Sequence, residues 1–161
     1  YNEALPMPPR PELPDLEEGV IRGGYCLESV VGEGPRINLL GSGTILFEVM
    51  EAASRLREEG FAVAVYSITS YIELARDAER ASHSNETSWL SHLFSEPSVP
   101  IIAASDYVRT LPRMIASWVP GTMVALGTDG FGMSERREAL RAHFRIDAQA
   151  IAEAARSLVN A

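Results

Sequence analysis

The chain of 161 residues is 46% hydrophobic and 22% charged, which is typical of one folded domain and not of a disordered chain. Its formal net charge of −8 argues against binding nucleic acid, because nonspecific binding depends on neutralising phosphates. All 14 basic residues are arginine, so the chain offers no lysine for a Schiff base or a phosphate-binding loop. The single cysteine, Cys26, excludes an intrachain disulfide. No apolar run reaches ~18 residues and no signal peptide is evident, so we expect a cytoplasmic protein without a membrane partner.

The first nineteen residues have the composition of a linker. Prolines at positions 6, 8, 9, 11 and 14 are expected to exclude a helix and any central strand, and acidic Glu12, Asp15, Glu17 and Glu18 keep the segment solvated. We therefore predict an extended proline-rich linker over 1–19 that follows a preceding domain, and a globular domain over 20–161. The start at Tyr1 is typical of a cut within a longer polypeptide.

Five short apolar segments predict β-strands, and helical patterns separate most of them. The predicted strands are 24–31, 37–40, 62–68, 100–104 and 122–126. The complete order is β-β-α-β-α-(α)-β-α-β-α-α. Strands that alternate with helices favour a mostly parallel sheet with helices on both faces, a three-layer α/β/α fold. Only 32–35 separate the first two strands, too few residues for a parallel crossover, so we expect the first strand of this five-stranded mixed sheet to be antiparallel to its neighbours or to lie at an edge.

Helix boundaries are predicted from capping residues. The helix after Gly41-Ser42-Gly43 is expected to be capped near Thr44 and to end at Gly60. Thr69 and Ser70 precede a helix predicted over about 71–81. The remaining predictions are a short helix ending near Ser95, a helix over 108–118 with Pro112 in its first turn, a helix over 135–143 capped by Ser134, and a last helix capped by Asp147.

The parallel strands all end in small or polar residues, which predicts a cleft at the carboxyl edge of the sheet. The candidate residues of this strand-end cleft are Ser42, Thr69, Ser70, Ser105, Asp106 and Asp129. Turns from strand to helix need glycines and caps whatever they bind, so the same residues also fit a purely structural role. Asp129 precedes Gly130-Phe131-Gly132 and is expected to order that turn by accepting amide hydrogen bonds two or three residues on.

No motif in the chain makes a convincing catalytic, cofactor-binding or metal site. Gly41-Ser42-Gly43 lacks the third glycine of a dinucleotide fingerprint, because position 46 is a leucine, and it lacks the outer glycines of a nucleophile elbow. The three histidines match no metal-ligand spacing. Ser42 with Asp106 or Asp129 and His143 follows the chain order of some hydrolases, which leaves a small hydrolase as one open alternative.

Three segments of the chain are LLGSGTI at 39–45, VYSITSYIELARD at 65–77 and WVPGTMVALGTDGFGMSERREALRAHFRID at 118–147. These segments resemble the C-terminal domain of the transketolase superfamily. Within the superfamily, the chain is most similar to the homodimeric decarboxylating components of bacterial pyruvate dehydrogenase complexes. The resemblance extends over about 1–147, and its most specific part is Leu126-Gly-Thr-Asp-Gly-Phe-Gly132.

This resemblance implies a third domain with a five-stranded mixed sheet whose first strand is antiparallel. It implies a parent enzyme that uses thiamine diphosphate and magnesium, decarboxylates pyruvate and passes the two-carbon unit to a lipoyl group on an acyltransferase. In that family the diphosphate motif and the activating glutamate belong to the first two domains. No catalytic residue is therefore assigned here, and no cofactor is expected in this domain. The implied partners are the preceding domains, a homodimer partner and the lipoyl-bearing acyltransferase.

Two further alternatives stay open on the sequence alone. The chain could be a docking module for the acyltransferase core, using a basic cluster on an otherwise acidic chain. That cluster comprises Arg136, Arg137, Arg141 and Arg145, which equally fit a solvated helix face. The chain could also belong to a transketolase-like enzyme with another 2-oxo acid or a ketose as donor.

Overall fold

A mixed sheet forms the centre of the structure. The structure is a computed structural model, and it describes residues 9–159. Its five strands are β1 (Gly24–Val31), β2 (Arg36–Gly41), β3 (Ala62–Ile68), β4 (Ile101–Ala104) and β5 (Met123–Leu126). Their spatial order is β1-β3-β2-β4-β5. β1 runs antiparallel to β3, and the other three neighbouring pairs are parallel. The predicted fold class, with an antiparallel first strand, is confirmed.

β1 and β2 follow each other along the chain but are not neighbours in the sheet, because β3 lies between them. The connection at residues 32–35 therefore crosses the amino end of β3. Gly34 passes so close to the Gly60 carbonyl oxygen that a Cβ atom would overlap it. The short connection thus reverses the chain without forming a hairpin.

Helices cover both faces of the sheet, as predicted. They are α1 (Leu16–Arg22), α2 (Leu46–Glu58), α3 (Tyr71–Ser84), α4 (Trp89–Leu93), α5 (Thr110–Arg113), α6 (Arg137–Phe144) and α7 (Ala148–Val159). On one face, α2 and α7 share a core with Leu39 and Val65. On the other, α3 and α4 share a core with Leu40 and Ala64. Consecutive strand residues point to opposite faces, so every residue of β3 is buried.

The expected extended conformation over 1–19 is wrong for its last residues, because α1 begins at Leu16. Pro14 lies before the first turn, where proline removes no helical hydrogen bond. Leu16 and Gly19 are buried, and Gly23 ends the helix in a left-handed conformation. The described residues 9–13 form neither helix nor strand, and residues 1–8 of the predicted linker lie outside the described residues.

Side-chain contacts hold α1 on the body of the domain. The Arg22 guanidinium lies 4.8 Å from the centre of the Trp89 ring, and its Nη2 donates to Asp77 at 3.2 Å. The Trp89 indole donates in turn to the Gly24 carbonyl at 2.8 Å. These partners are more than fifty residues apart in sequence, so local pattern could not indicate them.

Two predicted N-terminal helix caps are confirmed and two are wrong. Ser70 accepts from the Glu73 amide at 3.2 Å, and Asp147 accepts from the Ala150 amide at 2.9 Å. Ser134 is too distant to cap α6, which begins only at Arg137. Thr44 lies inside a 3₁₀ turn that precedes α2, so it is not the cap of that helix.

The predicted helix over 108–118 is also shorter than expected. Regular helix is confined to α5, and turns continue to residue 118. Pro112 does lie in the first turn of α5, where its missing amide costs nothing. Within residues 9–159, every helix is too short or too polar to cross a lipid bilayer.

Candidate functional site

The four parallel strands end level with one another at one edge of the sheet. Gly41 at the end of β2 is in register with Ser67 of β3 and with Ala104 of β4, and Ala104 is in register with Leu126 of β5. The loops that follow these strands carry all six residues predicted for the strand-end cleft. The sequence therefore placed them at the correct edge of the fold.

A half-open cavity of about 1050 Å³ lies at this edge, beneath α1. Its wall is mainly apolar and includes Tyr25, Leu46, Ile68 and Leu111. Of the predicted residues, Ser42, Thr69 and Ser70 line the cavity, whereas Ser105, Asp106 and Asp129 are not part of its wall. The structure thus divides the predicted cleft into a cavity by β2 and β3 and a loop cluster by β4 and β5.

Ser42 and Tyr71 lie at the base of the cavity. Ser42 is buried, and its hydroxyl donates to the Ile68 carbonyl oxygen at 3.1 Å. The Tyr71 side chain is 2% exposed, and within residues 9–159 its hydroxyl has no hydrogen-bond partner of normal geometry. Burial raises the pKa of Tyr71, and the nearby Ser42 hydroxyl lowers it only in part, so Tyr71 stays a neutral phenol. Sequence reasoning missed Tyr71, which reads as an ordinary core aromatic in the first turn of a helix.

Thr69 and Ser70 use their polar groups to fix neighbouring backbone. Both amides donate to the Gly23 carbonyl oxygen at 3.0 Å, and the Thr69 hydroxyl donates to the Val20 carbonyl oxygen at 2.9 Å. Ser70 caps α3 through Glu73. These two residues therefore attach the end of α1 to the end of β3.

The loop cluster by β4 and β5 is held by hydrogen bonds between the two loops. Asp129 accepts from the Arg109 amide at 2.9 Å and from Arg109 Nε at 2.6 Å. The Thr128 hydroxyl donates to the Asp106 carbonyl oxygen at 2.8 Å, and the buried Ser105 hydroxyl accepts from the Tyr107 amide at 3.4 Å. The cluster stabilises the edge, and neither Asp106 nor Asp129 is among the residues that line the cavity.

The expected partners of Asp129 are wrong, since it bonds to Arg109 and not to amides of its own turn. β4 and β5 are neighbours, so their following loops meet although twenty residues separate the two side chains. The Arg109 amide and guanidinium lower the pKa of the Asp129 carboxyl, with a smaller contribution from the charge of Arg113. Asp129 is thus an ionised tie between two loops.

The residues of this edge do not form a catalytic constellation. The Ser42 hydroxyl is directed to a backbone carbonyl, and the ring of His143 packs on the adjacent Phe144 in α6. Within residues 9–159, no group of three histidine, cysteine or acidic side chains is arranged to hold a metal ion. Glu17 is the one carboxylate on the described cavity wall. Because Glu17 is already paired with Arg10 at 2.9 Å, the cavity is a poor fit to a magnesium diphosphate group, in which magnesium usually binds one or two carboxylates besides the phosphates.

The basic cluster of α6 is partly neutralised within the domain. Arg141 is 14% exposed and donates to Glu48 Oε1 at 2.7 Å, while Arg145 donates to Glu153 at 2.9 Å. Arg136 and Arg137 are exposed, and in the described part of the chain they are the only two members of the cluster without such an ion pair. Two arginines offer an acidic partner less positive charge than the predicted four would.

The mixed sheet, its helical layers and the strand-end loops define a three-layer α/β domain. Comparison with protein-family models identifies residues 23–147 as a transketolase-like TK C-terminal domain. The chain belongs to this family, as its sequence segments indicated.

Curated relatives are pyruvate dehydrogenase E1 components. The one from Escherichia coli K12 is 40% identical over 96% of this chain, and the one from Corynebacterium glutamicum is 38% identical over 94%. This chain spans only 18% and 17% of those two relatives. It therefore corresponds to less than a fifth of the length of the proteins it matches.

Solved structures support the same fold. Transketolase from Leishmania mexicana superposes with a TM-score of 0.63 at 21% identity, covering 89% of this chain and 19% of that one. A split-gene transketolase, described as an inactive β4 tetramer, superposes with a TM-score of 0.59 at 18% identity, covering 85% of this chain and 42% of that one. At these identities the likeness shows the fold alone.

Proposed function

We propose that this chain is the C-terminal structural and dimerisation domain of a thiamine-diphosphate-dependent pyruvate dehydrogenase, and that it has no activity alone. The observation that carries the proposal is the 40% identity to a pyruvate dehydrogenase E1 component over 96% of the chain. The matched region covers almost the whole chain, including the loops that follow the strands. It therefore favours a shared enzyme and not merely a shared fold.

The geometry of the strand-end edge supports a structural role. Ser42, Thr69 and Asp129 each direct their polar atoms to backbone or to a side chain of the same domain. The described cavity does not fit the thiamine diphosphate and magnesium that the resemblance implies. In this proposal the preceding domains hold that cofactor and supply the decarboxylation, while this domain provides a rigid surface beside them.

The proposal includes partners and a place in a longer chain. A linker joins the domain to the preceding domains, with α1 at the junction of the proposed segments 1–19 and 20–161. The other partners are a second copy of the enzyme and the lipoyl-bearing acyltransferase that receives the acetyl group. We place the enzyme in the cytoplasm. The docking-module alternative gains no support, because Arg141 and Arg145 already pair with carboxylates of this domain.

The test compares donors and truncations of the complete enzyme. We expect the complete chain to decarboxylate pyruvate and to acetylate a lipoyl acceptor, and we expect removal of 20–161 to abolish the dimer in sedimentation experiments. Turnover of a ketose phosphate without pyruvate turnover would assign the chain to a transketolase-like enzyme. Esterase activity of the 161-residue chain that Ser42→Ala removes would support the hydrolase alternative.

A further inference from the structure

Large apolar side chains are exposed mainly at the carboxyl edge of the sheet. The edge face consists of Val20, Ile21, Ile72, Tyr107, Val108 and Phe131, which are between 43% and 96% exposed. Short α1 buries Leu16 and Gly19 against the domain and turns Val20 and Ile21 outward. Phe131 protrudes between two glycines and is the most exposed of the six. Such side chains are costly to leave in water when they lie together.

Four of the six side chains line one cavity, and hydrogen bonds between loops hold the segments that carry the other two beside it. Val20, Ile21, Ile72 and Tyr107 all line the cavity beneath α1. Val108 follows Tyr107 directly. The turn that carries Phe131 is held against this segment, because the Thr128 amide donates to the Tyr107 carbonyl oxygen at 2.8 Å and Asp129 binds Arg109.

The shape of the edge face favours a protein surface over a small ligand. The cavity of about 1050 Å³ is half open, and most of the six apolar side chains form its rim and not its floor. A small molecule inside it would leave Phe131 and Val108 in water. A folded partner would cover the rim and could insert a side chain into the cavity.

The path of the chain indicates which partner lies there. Pro9, Arg10 and Pro11 line the same cavity, so the polypeptide enters the domain across the edge face. Any folded domain N-terminal to this chain is tethered to this face through residues 1–8. A short tether gives an effective concentration on the order of millimolar, which favours contact within the chain over contact with a second copy.

We propose that the edge face is the docking surface for the folded domain that precedes this one in the same chain, with Phe131 as its protruding anchor. The inference rests on the proposed function in one respect, since it requires the longer chain. The proposed partner is an apolar surface of a folded domain in the same polypeptide chain. The opposite edge of the sheet, where Val31 is 63% exposed at the end of β1, stays open to solvent.

Thiol labelling of the complete enzyme tests this proposal. Ile21→Cys, Phe131→Cys and the control Val31→Cys are made in a Cys26→Ser background, and labelling is read by mass spectrometry of peptides. All three positions are well exposed in the domain itself. We expect labelling at 21 and 131 to be slower than at 31 by at least about tenfold, because thiol reactivity follows exposure.

Two results would overturn the proposal. Equal labelling at the three positions would show that the edge face is open in the enzyme. Protection that disappears on dilution, as a dimer dissociates, would assign the face to a second copy. If a variant fails to fold, amide hydrogen exchange of the unmodified enzyme decides, with 105–109 and 127–132 compared with 32–35. Pyruvate turnover is assayed separately, so slow labelling in an enzyme with another donor would refute the proposed function and leave this inference standing.

Discussion

Asp129 accepts two hydrogen bonds from Arg109, and both cross between the loops that follow β4 and β5. The carboxylate is exposed to solvent, so its contribution is screened and smaller than that of a buried pair. The geometry is nevertheless specific, because one oxygen binds backbone and the other binds guanidinium. We therefore infer that Asp129 holds the loop that carries Phe131 in one ordered conformation.

Asp129→Asn should reduce stability at neutral pH and have less effect in acid. The Arg109 contacts lower the pKa of Asp129 in the folded state, so its contribution to the free energy of unfolding is present above the ordinary aspartate pKa of about 4 and is lost as the pH falls through the folded pKa. Thermal melts of both proteins from pH 7 to pH 2 check this. Asp106→Asn is the control, since that carboxylate has no hydrogen-bond partner among residues 9–159. A melting difference that grows in acid would contradict the assignment.

Among the helices, α2, α6 and α7 are joined by one carboxylate. Glu48 of α2 accepts from Arg141 of α6 at 2.7 Å and from the Ala148 amide, at the start of α7, at 2.8 Å. Both charged side chains are mostly buried, at 14% and 16% exposed. Glu48 thus acts as a cap for a helix a hundred residues later in the chain.

Glu48→Ala should lower the free energy of unfolding by about 2 kcal/mol, because it leaves Arg141 buried without its partner and removes a hydrogen bond to the start of α7. Glu51→Ala is the matched control on the same helix. Its carboxylate is 56% exposed and pairs with Arg55 at the surface, so the expected cost is about 0.5 kcal/mol. Urea unfolding measures both. Equal costs for the two variants would show that the Glu48 network contributes nothing specific.

A substitution in the β1–β2 connection tests how closely its backbone passes the backbone at Gly60. In Gly34→Ala, the new Cβ would overlap the Gly60 carbonyl oxygen, and backbone cannot move aside as a flexible side chain can. We expect a loss of about 1–3 kcal/mol, the range for overpacking. Gly132→Ala is the control, because its Cβ meets no atom within 4 Å. Chemical denaturation compares them, and a neutral Gly34→Ala would refute the close crossing over β3.

At the scale of the whole molecule, two apolar cores enclose the sheet, and a third apolar surface faces outward at its carboxyl edge. The first two account for a stable domain. The third surface exposes apolar side chains to water, so covering it with a neighbouring domain would lower the free energy. The polar residues of the edge hold its loops and α1 in place.

The 161-residue chain should bind no thiamine diphosphate. Its described cavity wall has Glu17 as its one carboxylate, and residues 9–159 offer no cluster for magnesium. Calorimetric titration with the cofactor and magnesium should therefore give no binding heat, whereas the complete enzyme in the same buffer should bind. Micromolar binding to the 161-residue chain would contradict the proposed division of labour between domains.

Strands were predictable from sequence to within one or two residues, because a buried strand needs an apolar run such as 62–68 with polar turns on each side. Local caps such as Ser70 and Asp147 were predictable for a similar reason, since their partners lie three residues away. α1 was missed because its stability comes from packing and from Arg22 contacts with distant residues. The high proline content correctly indicated a lack of helix and strand only for the described residues before α1.

The amino-acid sequence was sufficient to predict the fold class, the antiparallel first strand, the family and the edge where the parallel strands end. All of these depend on period, spacing or motif, which are properties of neighbouring residues. The folded structure was needed to show that β3 separates β1 from β2, that Asp129 binds Arg109, and that three of six candidate residues line a cavity. Those outcomes depend on which loops and strands become neighbours in space, and a chain's local pattern carries no record of partners twenty or more residues away.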